Sequence, residues 1–334
     1  MIGRCLACVA VLVTVLVPAA PAAADPAGPT EYLTTIEAIE PPTEALSVRM
    51  IGGDSFFELT QLEPVLIEVV GYEAEPYLRI RPDGTVEENR LSPTTYLNQE
   101  RYGTREIVPE FTSSQGEPDW VKVADGGRYA WHDHRSHWMN SQRPPGAQPG
   151  DTILEAAVPL RVDGQEVLVT VTSVLQEPPS PLPAILGGVA GIAVVAGVLR
   201  NSLLLLAAPV AAAALVAGMV EYFSVPPETG PPLTLWLPSL LGVLGVLLAL
   251  VVMRVRGPNP LLAPGLVLVA GVQLCVWAFL SRSSLSKPIL PTDLSWPLHR
   301  FVIAVAFVSG LGLIGYGLDR LFGVVSRADP QGLI

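Results

Sequence analysis

The chain has 334 residues, of which half are hydrophobic and only 15% are charged, against about 25% charged residues in an average soluble domain. This composition excludes a single water-soluble globule. The formal net charge of −11 is unevenly divided, because acidic residues outnumber basic ones by 26 to 11 between Asp25 and Leu182, whereas 5 acidic residues face 8 basic ones from Pro183 onward. An acidic first part is a poor match for nucleic-acid phosphates, so we expect no nucleic-acid partner.

Residues 1–24 have the order of a secretory signal peptide. Arg4 precedes an apolar run, and an alanine-rich stretch ends at Ala24, directly before Asp25. We predict cleavage after Ala24 and export of the chain that follows. Cys5 and Cys8 fall in the signal and Cys275 in an apolar segment, so the exported part is predicted to fold without a disulfide.

Residues 25–176 are predicted to form an extracytoplasmic, all-β domain. Runs of alternating β-branched and aromatic residues are bounded by turn signals such as Arg81–Gly84 and Val162–Gln165. The predicted strands cover residues 32–40, 46–51, 56–62, 65–71, 77–80, 120–123, 129–134, 153–161 and 165–175. Short strands at this spacing favour an immunoglobulin-like antiparallel β-sandwich, with residues 85–119 as a long ordered insertion.

The second half is predicted to be an all-α bundle of five transmembrane helices, residues 184–320. A proline-rich linker, residues 177–183, separates it from the β domain. The apolar segments cover residues 184–200, 202–223, 233–253, 261–280 and 298–318, each close to the length that crosses a bilayer. Connections rich in arginine fall on one side, so the positive-inside rule places the N-terminal domain outside the cell membrane and the tail, residues 321–334, in the cytoplasm.

The densest group of chemically active residues runs from Trp131 to Met139 and includes three of the four histidines in the chain. On an extended strand His132 and His134 share a face, and a bend after Arg135 would bring His137 beside them. Neutral imidazoles suit Cu or Zn, so His132, His134 and His137 are the candidate metal ligands. The candidate supporting residues are Trp131, Asp133, Arg135, Trp138 and Met139.

The same run also fits a packed structural corner, or a site for a small polar ligand or a partner. Two tryptophans, an arginine and an aspartate among the histidines are typical of a hydrogen-bonded corner, in which the imidazoles contact backbone carbonyls. The residues alone leave these interpretations open.

Other catalytic and transport motifs are weak. Gly53-Asp54-Ser55 resembles an esterase nucleophile block, but three residues after Asp133 stands Ser136 and not a histidine. Ionisable residues in the second half, such as Glu221 and His299, fall at the ends of predicted spans. This disfavours an ion-coupled transporter, in which ionisable residues lie within the membrane.

Three blocks of sequence resemble a group of actinobacterial exported proteins that carry a C-terminal multi-span membrane region. They are Glu75–Ile80, Thr95–Asn98 with Arg101–Gly103, and the run from Trp131 to Met139. The resemblance covers about residues 45–175. It implies an architecture and a source, and no catalytic residue or activity.

We therefore expect a non-enzymatic, multi-pass membrane protein whose exported β-sandwich binds a ligand or partner, with Cu or Zn handling or sensing as its sharper form. Besides the lipid bilayer, the expected partner is another membrane or cell-envelope protein. Two alternatives stay open: an enzyme acting on a lipid-linked or cell-wall substrate, and an assembly factor for another membrane protein.

Overall fold

The computed structural model describes residues 26–102, 108–197, 203–256 and 261–328. The predicted signal peptide with its cleavage site after Ala24, and residues 329–334 of the predicted cytoplasmic tail, lie outside the described residues. Residues 26–176 form antiparallel β structure and residues 182–328 are mainly helical; we call these the β region and the helical region.

The described residues of the β region form ten strands. They are β1 (Tyr32–Glu40), β2 (Leu46–Ile51), β3 (Phe56–Gln61), β4 (Ile67–Val70), β5 (Pro76–Ile80), β6 (Val86–Asn89), β7 (Trp120–Ala124), β8 (Arg128–Trp131), β9 (Thr152–Val162) and β10 (Gln165–Leu175). A seven-stranded sheet has the order β1-β10-β9-β4-β5-β6-β7, and a three-stranded sheet has the order β2-β3-β8. The prediction of antiparallel β structure is confirmed, whereas the immunoglobulin-like sandwich stays a prediction.

Buried apolar side chains from strands of both sheets belong to one cluster. In β10, Val167, Val169 and Val171 are buried at every second position, because successive side chains of a strand point to opposite faces. They share a cluster with Phe57 and Trp131 of the smaller sheet. Both sheets are therefore fixed against each other by the same buried side chains.

Residues 85–119 contain more regular structure than the sequence predicts. The chain turns at Gly84, which has a φ of 80°, and β6 then extends the large sheet beside β5. A short helix, α1 (Pro93–Leu97), follows and is capped by Ser92, whose hydroxyl accepts a hydrogen bond from the Thr94 amide. Hydropathy alone does not predict β6, because its sequence, Val-Glu-Glu-Asn, has one apolar residue and shows no alternation of apolar and polar residues.

The described residues form six α-helices, one more than the five predicted, because α1 lies inside the β region. The helical region contains α2 (Leu182–Gly197), α3 (Leu203–Phe223), α4 (Leu237–Arg256), α5 (Leu262–Leu280) and α6 (Trp296–Ala328). Four of these are long and apolar enough to cross a membrane, at Leu206–Phe223, Leu237–Val255, Leu262–Leu280 and Trp296–Gly323. The described part of α2 is shorter, at 16 residues. Four of the five predicted segments are therefore helices of sufficient length and apolar character, and their crossing of a membrane stays a prediction.

Small residues set the packing of the helical region. A Cβ atom on Gly187 of α2 would collide with the backbone carbonyl of Phe301 on α6, and one on Gly191 would collide with Val308. Glycine permits this close approach of two helix backbones, which favours helix association in lipid.

The β region is attached to one end of the helical region, which we call the β-region end. The backbone groups of Thr30 and Ile289 exchange two hydrogen bonds of 3.0 and 3.2 Å, and Lys287 Nζ lies 3.1 Å from a carboxylate oxygen of Glu31. Ile289 and Lys287 belong to residues 281–295, which connect α5 to α6. Val225, just after α3, packs against Phe56.

Candidate functional site

The run from Trp131 to Met139 begins at the end of β8 and then turns. The backbone amide of Ser136 donates to the carbonyl oxygen of Asp133 at 2.8 Å, and the Ser136 hydroxyl donates to the same oxygen at 2.7 Å. The middle residues of this turn are His134 and Arg135, so it comes before the bend that the sequence predicts after Arg135. The strand predicted over 129–134 ends at Trp131, so His132 and His134 follow it and are not on it.

The turn is built around a buried ion pair between Asp133 and Arg135. Asp133 is fully buried, and its two carboxylate oxygens accept hydrogen bonds of 2.8 Å from Nε and Nη2 of Arg135. Trp131 Nε1 donates a third bond at 3.0 Å. Burial by itself raises the pKa of Asp133, but the charge and hydrogen bonds of Arg135 hold that pKa below its ordinary value. Both carboxylate oxygens of Asp133 thus accept hydrogen bonds from protein groups.

Each of the three histidines places one ring nitrogen against a backbone carbonyl. His132 Nδ1 lies 2.5 Å from the carbonyl oxygen of Ser55. His134 Nε2 lies 2.8 Å from that of Glu100, and His137 Nδ1 lies 3.2 Å from that of Trp138. A carbonyl only accepts, so these nitrogens carry the hydrogen. Metal-binding histidines are commonly oriented in this way, and so are histidines in a structural corner.

The three imidazole rings lie close together. The centroid of the His137 ring is 5.6 Å from that of His134 and 6.2 Å from that of His132, with near-perpendicular planes in the first case. Rings bound to one tetrahedral Zn²⁺ have centroids about 5 Å apart, given Zn–N bonds of about 2 Å. Among the residues that the structure describes, no group of three or more His, Cys, Asp or Glu side chains is placed to hold a metal ion.

Aromatic stacking holds two of the histidine rings. The ring of His132 stacks on Phe56 with centroids 4.1 Å apart, and that of His134 stacks on Tyr72 at 5.5 Å. His137 is 1% exposed, and its Nε2 has no hydrogen-bond partner among the described residues. Burial, with a smaller effect of the positive charge of Arg101, lowers the pKa of His137 to about 3, so the ring is neutral at neutral pH.

A second buried ion pair, between Asp54 and Arg101, lies beside the histidines. Arg101 Nη2 and Asp54 Oδ1 are 2.5 Å apart, and Arg101 also donates to the hydroxyl of Ser55 at 2.9 Å and to that of Thr30 at 3.3 Å. Burial raises the pKa of Asp54, and Arg101 opposes that rise. The sequence prediction missed Arg101, because no spacing rule relates it to Asp54.

The remaining supporting residues point elsewhere. Trp138 Nε1 donates to the carbonyl oxygen of Gln142 at 2.8 Å, and its side chain lines a shallow pocket of about 520 Å³ together with Pro144 and Pro145. Met139 is partly buried. Ser55, from the esterase-like block, is 1% exposed with its hydroxyl bound by Arg101, so it is shielded from any substrate in solution.

Comparison of the chain with protein-family models, with curated proteins and with solved structures finds no match in any of the three. The resemblance to actinobacterial exported proteins therefore stays a prediction.

Removing the charge of Arg135 should destabilise the β region strongly. In R135A the carboxylate of Asp133 stays buried without its cation, which typically costs about 3–5 kcal/mol of unfolding free energy. The matched control is R90A, because Arg90 and Asp119 form an exposed pair and such pairs contribute about 0–1 kcal/mol. Urea titrations of the full chain in detergent, followed by tryptophan fluorescence, measure both; equal losses for the two variants would contradict a turn organised by Asp133.

Proposed function

We propose that the chain is a non-enzymatic, multi-pass membrane protein that presents an exported β-sandwich of immunoglobulin-like type for binding a ligand or partner. The observation that carries this proposal is the attachment of the β region to one end of four apolar helices, through Thr30, Glu31, Lys287 and Ile289. A binding domain held in this way keeps a fixed orientation above the bilayer.

The connections of the helical region support the predicted orientation. The two connections at the β-region end follow α3 and α5. Arg254 and Arg256 lie in the last turn of α4, at the opposite end, and Arg200 follows α2 in the sequence. Arginine excess marks the cytoplasmic side, so the β region is extracytoplasmic in this proposal.

Labelling of single cysteines tests the orientation. D125C lies in the exposed turn between β7 and β8, and R254C lies on the exposed end of α4 far from the β region. With the native cysteines replaced by serine, a membrane-impermeant maleimide should label D125C in intact cells and R254C only after permeabilisation. The reverse labelling pattern would contradict an exported β region.

A second candidate function is Cu or Zn handling or sensing by His132, His134 and His137. It is favoured by the proximity of the three rings, by the carbonyl that orients each of them, and by the buried Nε2 of His137, which has no partner. The rings would have to draw together by about 1 Å to surround one ion. The structural corner explains the aromatic stacking and the two carbonyl bonds of His132 and His134, but it leaves the His137 Nε2 unexplained.

Metal titration of the full chain in detergent distinguishes a metal site from a structural corner. Wild type should bind one Cu(II) or Zn(II), and H134Q should weaken that binding roughly tenfold or more. The H134Q change is chosen because His134 is the least buried of the three. The control is H299Q, which removes the one histidine of the chain that lies in the helical region. Equal binding by wild type, H134Q and H299Q would remove the metal function and leave the structural corner.

The two alternatives expected from the sequence gain less support. An enzyme would need an accessible nucleophile or acid–base pair, and in the described part of the cluster Ser55, Asp54 and Asp133 are buried and bound by arginines. An assembly factor would bind another membrane protein through the helical region; reproducible isolation of the chain without any partner after mild detergent extraction would count against it.

A further inference from the structure

A buried pair of ionisable side chains lies between two helices of the helical region. Glu221 is on α3 and His299 is on α6, and they are 5% and 0% exposed. Glu221 Oε2 lies 3.5 Å from His299 Nε2. Both positions fall near the β-region end, inside the segments that are apolar enough to cross a membrane. The sequence places these residues only at the ends of spans; the structure shows that they meet and are buried.

The pair has unused polar atoms. Glu221 Oε2 and both ring nitrogens of His299 are buried and make no hydrogen bond to any residue that the structure describes. Buried polar atoms are almost always satisfied by protein, water or a ligand, and an ionised carboxylate without a partner is costly in an apolar environment. Ionisable residues within a membrane are therefore functional-site candidates.

The polar side chains next to the pair donate their hydrogen bonds to backbone carbonyls of other residues. The guanidinium of Arg300, the residue next to His299, donates to the carbonyl oxygens of Ser284, Lys287 and Pro288 at 2.7–3.0 Å. The Trp277 ring lies 6.3 Å from that of His299, and its Nε1 donates to the carbonyl oxygen of Leu235 at 2.7 Å. Among the described residues of the elements around the pair, the other ionisable groups toward the β-region end are Tyr222, Glu228, Cys275, Arg282, Lys287 and Asp293. Further along α6 lie Tyr316, Asp319 and Arg320. Glu221 and His299 therefore depend on each other.

We propose that Glu221 and His299 form a binding site for a single proton, which the two side chains share. With one proton the pair is either a neutral carboxylic acid beside a neutral imidazole or a carboxylate beside an imidazolium, and both forms have zero net charge. Loss of that proton leaves a lone carboxylate, and gain of a second leaves a lone imidazolium; each places an uncompensated charge among apolar helices.

The site lies close to the β-region end of the helices. Ser224 follows Glu221 by three residues, and its hydroxyl accepts a hydrogen bond of 2.8 Å from the backbone amide of Asp293. Arg300 holds the same connection between α5 and α6 from the other helix. The shared proton thus lies directly beneath the residues that attach the β region, and exchange with solvent is expected from the β-region end.

Spectroscopy of the full chain in lipid nanodiscs at neutral pH tests the proposal. Infrared spectra report whether the Glu221 carboxyl is protonated, by the difference between wild type and E221Q, and 15N NMR reports whether the His299 ring is charged, by the difference between wild type and H299Q. E228Q is the control, because Glu228 lies at the same end outside the pair. If E221Q does not fold, E221D keeps the carboxyl and shifts its band.

The pair should hold one proton in total: either the carboxyl is protonated and the ring neutral, or the carboxyl is ionised and the ring charged. A carboxylate beside a neutral ring, or a protonated carboxyl beside a charged ring, would overturn the proposal. E228Q should leave both signals unchanged.

Discussion

The attachment of the β region to the helical region, which we call the joint, depends on Thr30. Its backbone exchanges two hydrogen bonds with Ile289, and its hydroxyl accepts from Arg101 and from the backbone amide of Tyr32. Thr30 is 5% exposed, so these bonds are shielded from water and contribute more than exposed ones would. Gly53 lies against the Ile289 side chain with a φ of 81° and leaves no room for a Cβ atom.

The histidine cluster is connected to this joint and is not on a free surface. His132 contacts the backbone of Ser55, the Ser55 hydroxyl accepts from Arg101, and Arg101 reaches Thr30. Asp54 and Arg101 have opposite charges and form a buried ion pair, so the residues along this path have little net charge. By this path the His132 ring is four contacts from Ile289, which belongs to the connection between α5 and α6.

Local patterns in the sequence predicted most strands, and the long-range pairs could not be predicted. The hairpin of β9 and β10 follows from alternation and from Asp163-Gly164, whose positive φ angles match a tight turn. The strand β6 was missed because its burial comes from Val86 and from Asn89, whose side chain binds the backbone of Pro76. Pairing of Asp54 with Arg101, or of Glu221 with His299, requires the tertiary fold, since no local periodicity relates residues so far apart. For the histidine run, the sequence predicted a bend after Arg135, whereas the turn runs from Asp133 to Ser136. Tertiary contacts decide where each ring nitrogen points.

Cross-linking across the joint tests the attachment of the β region most directly. Cysteines would replace Glu31 and Lys287 in a chain without native cysteines and with a protease site inserted within residues 177–181. A short bismaleimide applied to native membranes should add to both thiols and join the two fragments through thioether bonds, so that they remain together on a denaturing gel after cleavage. The pair E31C and D319C, with the second cysteine near the opposite end of α6, should not be joined. Separation of the E31C and K287C fragments in folded protein would contradict the attachment.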